Sequence, residues 1–160
     1  LSIRRQRQMC IRDSLWLMAL FLPLQVCAQK GLNVNALFGG HYRKQREVTE
    51  VLMKGRQLES YKLTLFRSLT LPVATAHAAR VETLVRADAK AAIDKEAALR
   101  GQHLYYGFYQ LQPVGHTRRY LFYRNNSLRN VGAKQATVTL IYMEGQATLD
   151  ELRHTFGKQR

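Results

Sequence analysis

Several stretches of the chain alternate apolar and polar residues with the two-residue period of half-buried β-strands. The clearest stretch is residues 63–71, and Pro72 is expected to end it because proline cannot donate a hydrogen bond to a sheet. An earlier stretch, residues 48–53, is closed by Lys54-Gly55, and a turn or helical turn is expected around residues 57–61. These patterns predict the first two strands.

The second half of the chain is rich in aromatic residues. Residues 104–111 and 118–124 predict two strands, and the connection at residues 113–115 contains proline and glycine, which favours a β-hairpin. Residues 137–143 are rich in β-branched side chains and predict a further strand. Residues 93–97 fit either a short strand or the frayed end of a helix.

Residues 75–92 form the clearest helical segment because they are rich in alanine and amphipathic. Within it, Glu82 stands four residues before Arg86, a spacing that favours an ion pair on a helix. A shorter helix is expected through residues 36–38, and Gly39-Gly40 would end it because glycine readily adopts left-handed backbone conformations.

A last helix is predicted at the end of the chain. Thr148 and Glu151 have the spacing of a capping box, in which each side chain bonds the backbone amide of the other residue. Leu149, Leu152 and Phe156 follow at helical spacing, so this stripe is expected to be buried on the sheet.

The predicted order is helix, two strands, helix, about three strands and helix. This order predicts an α+β fold, with a mainly antiparallel sheet of about five strands and helices packed on one face.

The segment before this fold has the features of an export signal. Residues 15–24 are apolar but too short to span a bilayer, and the residues at 26–28 suit a signal peptidase. We expect cleavage near Ala28, so that the mature chain begins at Gln29 and is periplasmic or secreted. A lipoprotein attached through Cys27 is disfavoured because the small residue that normally precedes a lipidated cysteine is missing.

Residues 4–14 resemble a translated sequencing adapter. We therefore interpret residues 1–14 as an assembly artefact, and we expect the native start to differ from the one in this sequence. Residues 15–28 are the remaining part of the signal peptide. Residues 29–160 are long enough for a single α+β domain with its own core.

The composition is strongly basic, with 25 Lys and Arg against 11 Asp and Glu, for a net charge of +14. Both cysteines, Cys10 and Cys27, precede Gln29. The predicted mature chain is therefore cysteine-free, which excludes a disulfide scaffold, a thiolate zinc site and a cysteine nucleophile.

A resemblance covers nearly all of the predicted mature chain. It rests on residues 29–33, 63–69, 104–109, 123–126 and 140–145. These strings resemble a family of small exported proteins of Bacteroidales-type gut bacteria, whose function is unknown. The resemblance implies a location in the cell envelope and supplies no active site.

The predicted hairpin suggests a binding surface. On a strand, Arg118, Tyr120, Phe122 and Arg124 alternate onto one face, and Arg129 follows them. Such a basic aromatic face, which basic residues at positions 43, 44 and 46 could extend, would attract an anionic glycan, a lipid head group or an acidic protein. The alternative is a scattered, solvated basic surface.

Nucleic acid is a disfavoured partner. Residues 106–109 resemble part of an RNA-recognition strand, but Tyr106 replaces its leading basic residue and Tyr109 its second small residue. An exported protein also has little access to nucleic acid.

A catalytic role has weak support in the sequence. No metal-binding histidine motif and no glycine-rich phosphate loop occurs, so we expect no cofactor. The alternative is a small periplasmic hydrolase in which His103 and His116 approach each other across the ends of the hairpin and act with Glu144. We favour a binding or interaction protein over this enzyme.

Overall fold

The computed structural model of the chain describes residues 31–40, 42, 45, 47–128 and 136–156. The predicted signal peptide, His41, Arg129 and the basic residues at 43, 44 and 46 lie outside the described residues. None of the described helices has the length and apolar character that a membrane span requires. The described elements all belong to one compact unit, Leu32–Arg160.

The described residues form six strands and two α-helices. The strands are β1 (Thr49–Lys54), β2 (Leu63–Pro72), β3 (Asp94–Arg100), β4 (His103–Val114), β5 (Thr117–Asn125) and β6 (Thr137–Gly145), and the helices are α1 (Ala76–Ala89) and α2 (Leu149–Phe156). Short 3-10 helices span Asn33–Leu37, Arg56–Tyr61 and Asn126–Leu128.

The strands form one sheet in the order β1-β2-β6-β5-β4-β3, and every neighbouring pair is antiparallel. The α+β class and the antiparallel sheet are therefore confirmed. The sheet has six strands rather than about five, because residues 94–97 of the ambiguous segment begin β3 and pair with β4. The predicted hairpin is β4–β5, and Gly115 turns the chain with a φ of 58°.

One face of the sheet packs against α1 and the 3-10 helix Asn33–Leu37. Val81 and Val85 of α1 are fully buried there, together with Leu69, Leu121 and Leu140 of the sheet. The buried Asp88 carboxylate accepts hydrogen bonds from the backbone amides of Asn33 (2.9 Å) and Val34 (3.0 Å), which fixes the short helix to α1.

The opposite face has a second core beneath α2. It consists of Leu58, Leu63, Phe108, Tyr120, Met143, Ala147 and Leu152. The structure therefore differs from the expectation of helices on one face, because α1 and α2 cover opposite faces. The physical reason is that β4, β5 and β6 carry large apolar residues on both faces of the sheet. Tyr120 and Leu121, for example, are neighbours in sequence and point to opposite faces. Each face is therefore stabilised by a helix that shields it from water.

Candidate functional site

Part of the sheet face that carries α2 remains partly exposed beyond the helix. The strand register aligns Ser68, Ile141 and Phe122 in one row across β2, β6 and β5, and it aligns Thr70, Thr139, Arg124 and Tyr106 in the next. All of these residues are intermediate in exposure. We call this surface the open face, and it consists of Ser68, Thr70, Tyr106, Phe122, Arg124, Thr139 and Ile141.

The aromatic rings on and beside the open face hold one another in place. Tyr106 meets Phe122 edge to face, with ring centroids 5.5 Å apart, and Phe122 meets Phe108 at 6.2 Å. Phe108 in turn stacks on Tyr120 at 6.1 Å in the core beneath α2. The rings of the open face are thus fixed by packing that continues into the core.

A polar row borders these rings. Arg124 lies directly opposite Tyr106 on β4 and Thr139 on β6. The hydroxyls of Thr139 and Thr70 are 3.4 Å apart on neighbouring strands. The open face therefore combines a guanidinium group, three aliphatic hydroxyl groups and two aromatic rings, one of which is a phenol.

The predicted binding residues separate into three groups in the structure. Phe122 and Arg124 lie on the open face. Tyr120 is fully buried, and its hydroxyl donates a hydrogen bond to the Ala147 carbonyl at 2.7 Å. Tyr120 therefore does not belong to the open face, because α2 covers it. Burial also raises the pKa of Tyr120 above its ordinary value.

Arg118 supports the connection that leads into α2. Its guanidinium donates to the carbonyl of Gln146 at 3.0 Å. Arg118 and Arg124 share a sheet face but stand six residues apart on β5, which corresponds to about 20 Å. Arg129, the fifth predicted residue, lies outside the described residues.

The structure does not assemble the predicted catalytic residues. His103 begins β4 and His116 follows its far end, a separation on the order of 40 Å along an extended strand. The two histidines therefore cannot share a site, because they mark opposite ends of the hairpin's first strand. Glu144 instead accepts a hydrogen bond from the Tyr142 hydroxyl at 2.5 Å, and the His116 carbonyl accepts one from Gln146.

His103 does have a carboxylate neighbour, Glu82 of α1, with 3.3 Å between Nδ1 and Oε2. Glu82 also accepts hydrogen bonds from Arg86 Nε at 2.9 Å and from the Leu104 amide at 2.8 Å, so the predicted pair of Glu82 and Arg86 is present. Burial raises the pKa of Glu82, but these hydrogen bonds outweigh that effect and hold it below its ordinary value. This carboxylate fastens α1 to the start of β4.

Metal-binding clusters are also missing from the described part of the chain, where no three His, Cys, Asp or Glu residues are placed to hold an ion. Within the described residues, the open face brings together a guanidinium group, hydroxyl groups and aromatic rings, which suit the binding of a partner. Sequence reasoning identified Phe122 and Arg124 but missed Tyr106, Thr139 and Ile141 as their neighbours, because these contacts depend on the strand order.

Comparisons with known proteins place the chain in a family. A family of unknown function, DUF6108, matches residues 21–156, so the chain belongs to that family. No curated protein and no solved structure matches the chain significantly.

Proposed function

We propose that the chain is an exported binding protein that holds an anionic partner on its open face and works without a cofactor. The observation that carries this proposal is the placement of Arg124 between Tyr106 and Thr139, next to Phe122, on a part of the sheet that α2 leaves partly exposed. An anionic glycan, a lipid head group and an acidic protein are the candidate partners.

The chemistry of the open face suits an anion attached to an apolar or ring-shaped body. A guanidinium group donates paired hydrogen bonds to carboxylate, sulfate or phosphate, and aromatic rings offer flat apolar contact area. The threonine hydroxyls can add neutral hydrogen bonds. Because the rings are fixed by neighbouring side chains, little ordering is needed when a partner binds.

The apolar segment at residues 15–24 and the cleavage-like residues at 26–28 support export to the periplasm or the exterior. The resemblance to exported proteins of Bacteroidales-type bacteria supports the same location. Much of the positive charge of the predicted mature chain lies outside the described residues, at positions 43, 44, 46, 129 and 134 among others. The proposal therefore rests on Arg124 and its neighbours rather than on overall charge.

Binding of residues 29–160 to three probes tests the proposal: a sulfated polysaccharide, vesicles containing phosphatidylglycerol, and polyglutamate. Arg124→Gln should weaken binding to the preferred probe about fivefold or more, because a charge-assisted hydrogen bond is lost. The matched control is Arg80→Gln on the exposed surface of α1, which should bind like the unaltered chain.

Binding should also weaken as salt concentration rises, since ions screen exposed charges. Equal losses in the Arg124→Gln and Arg80→Gln variants would show that overall charge, not the open face, is responsible. Binding that does not change with salt would contradict an anionic partner.

A further inference from the structure

The strand β1 forms one edge of the sheet. It pairs with β2 on one side, and no described strand lies on its other side. Val51 and Leu52 in the middle of β1 are 39% and 55% exposed. An edge strand of this kind presents unpaired backbone amides and carbonyls that can pair with another strand.

The side chains of β1 are complementary to themselves in an antiparallel arrangement. Glu50, Leu52 and Lys54 point to the same face because alternate residues share a face. If two β1 strands pair antiparallel about Leu52, each Glu50 lies opposite Lys54 of the second copy, and the two Leu52 side chains meet. On the other face, Val51 lies opposite Met53. Two opposite-charge pairs and three apolar pairs thus form together.

The Glu50 carboxylate is already held in position for this role. It accepts hydrogen bonds from the backbone amides of Gly39 at 3.0 Å and Gly40 at 3.1 Å. A carboxylate can accept about four hydrogen bonds, so it retains the capacity to bind a lysine ammonium group. Lys54 is exposed at the end of the same strand.

The other edge of the sheet, β3, is a poorer match for itself, because antiparallel pairing about its central residue, Ala97, would set Lys95 opposite Leu99 and Glu96 opposite Ala98. The pairing of β3 with β4 also shifts register between Ala98 and Leu99, with the extra residue on β4. Charged residues that meet no opposite charge across an interface disfavour the pairing of edge strands. The difference between the edges favours association through β1.

We propose that a second copy of this chain binds along β1, so that the two sheets join into one continuous antiparallel sheet. In this arrangement a two-fold axis runs perpendicular to the sheet beside Leu52, and the open faces of both copies lie on the same side. The dimer would present two copies of Arg124 to one partner, and linked sites increase the overall affinity for a repetitive anion.

Sedimentation equilibrium of residues 29–160 over a range of concentrations tests the dimer. These residues contain the whole compact unit Leu32–Arg160, which holds both hydrophobic cores. Lys54→Glu should raise the dimer dissociation constant about tenfold, because it converts two attractive cross-strand pairs into repulsive ones. The matched control, Lys95→Glu on the exposed part of β3, should leave the constant unchanged.

A mixture of charge variants tests the register. Glu50→Lys and Lys54→Glu should each dimerise poorly alone, but an equimolar mixture should associate as strongly as the unaltered chain, because both opposite-charge pairs are restored. Circular dichroism checks that Glu50→Lys, which also loses the Gly39 and Gly40 contacts, remains folded. A monomer at every concentration, equal effects of Lys54→Glu and Lys95→Glu, or a mixture no stronger than its components would overturn the proposal.

Discussion

At the scale of single residues, the hydroxyl of Tyr123 is a polar group buried in largely apolar surroundings within the described part of the chain. The side chain is fully buried in the core beneath α1, and within the described residues its oxygen makes no hydrogen bond of regular geometry, although the Asn125 side chain is close enough to lower its pKa. Burial raises the pKa of this phenol far above its ordinary value, and the nearby Glu82 carboxylate acts in the same direction. Burying a hydroxyl group without a good hydrogen bond lowers the free energy of unfolding, and a phenylalanine ring at the same position would not carry this cost.

Tyr123→Phe should therefore raise the free energy of unfolding by about 1 kcal/mol, because it removes a buried unsatisfied group without changing the ring. The matched control is Tyr142→Phe on the neighbouring strand β6, where the hydroxyl donates to Glu144 and its loss should destabilise the fold. Urea unfolding of both variants measures the difference. A destabilised Tyr123→Phe variant would mean that the hydroxyl has a partner after all.

At the scale of elements, the sequence predicted strands and helices best where a local signal was strong. The alternating residues 63–71 lie in β2, and the capping box at Thr148 and Glu151 forms both of its bonds at the start of α2. Residues 93–97 stayed undecided because a short segment has too few residues to show a period. The face that each helix covers could not be predicted, because it depends on the strand order.

The start of α2 is expected to give stability that depends on pH. The Glu151 carboxylate accepts hydrogen bonds from Lys62 at 2.5 Å and from the Thr148 amide at 2.7 Å. These contacts lower the pKa of Glu151 from 4.5 to about 2. Because the pKa of this carboxyl group is lower in the folded state than in the unfolded state, the ionised carboxylate stabilises the fold at pH values above its unfolded-state pKa. This stabilisation is lost as the pH falls through the folded-state pKa.

The melting temperature should consequently fall between pH 4.5 and about pH 2, in part because Glu151 becomes protonated. Glu151→Gln should lower the melting temperature at neutral pH and flatten its decline over that range. Asp150→Asn is the control, since Asp150 is the adjacent, highly exposed carboxylate of the same turn. Thermal unfolding from pH 7 to pH 2 measures all three chains. Identical pH profiles for the two variants would contradict the assigned role of Glu151.

At the scale of the whole molecule, one sheet supports two separate cores. The core beneath α1 and the core beneath α2 both draw on β2, β4, β5 and β6, with Leu121 in the first and Tyr120, its neighbour in sequence, in the second. Because adjacent residues of the same strands serve both cores, neither core can lose its packing without disturbing the backbone of the other. This arrangement predicts that residues 29–160 unfold in a single cooperative transition.

Two core substitutions test this coupling. Leu121→Ala and Leu152→Ala truncate side chains that are at most 2% exposed, one in each core, and each should lower the free energy of unfolding by about 2–5 kcal/mol. Both variants should keep one transition in urea, with the same midpoint by far-ultraviolet circular dichroism and by tyrosine fluorescence. An early, separate transition in Leu152→Ala alone would instead show that α2 detaches while the sheet and α1 remain folded. The exposed surface on this side of the sheet would then include the area that α2 now covers.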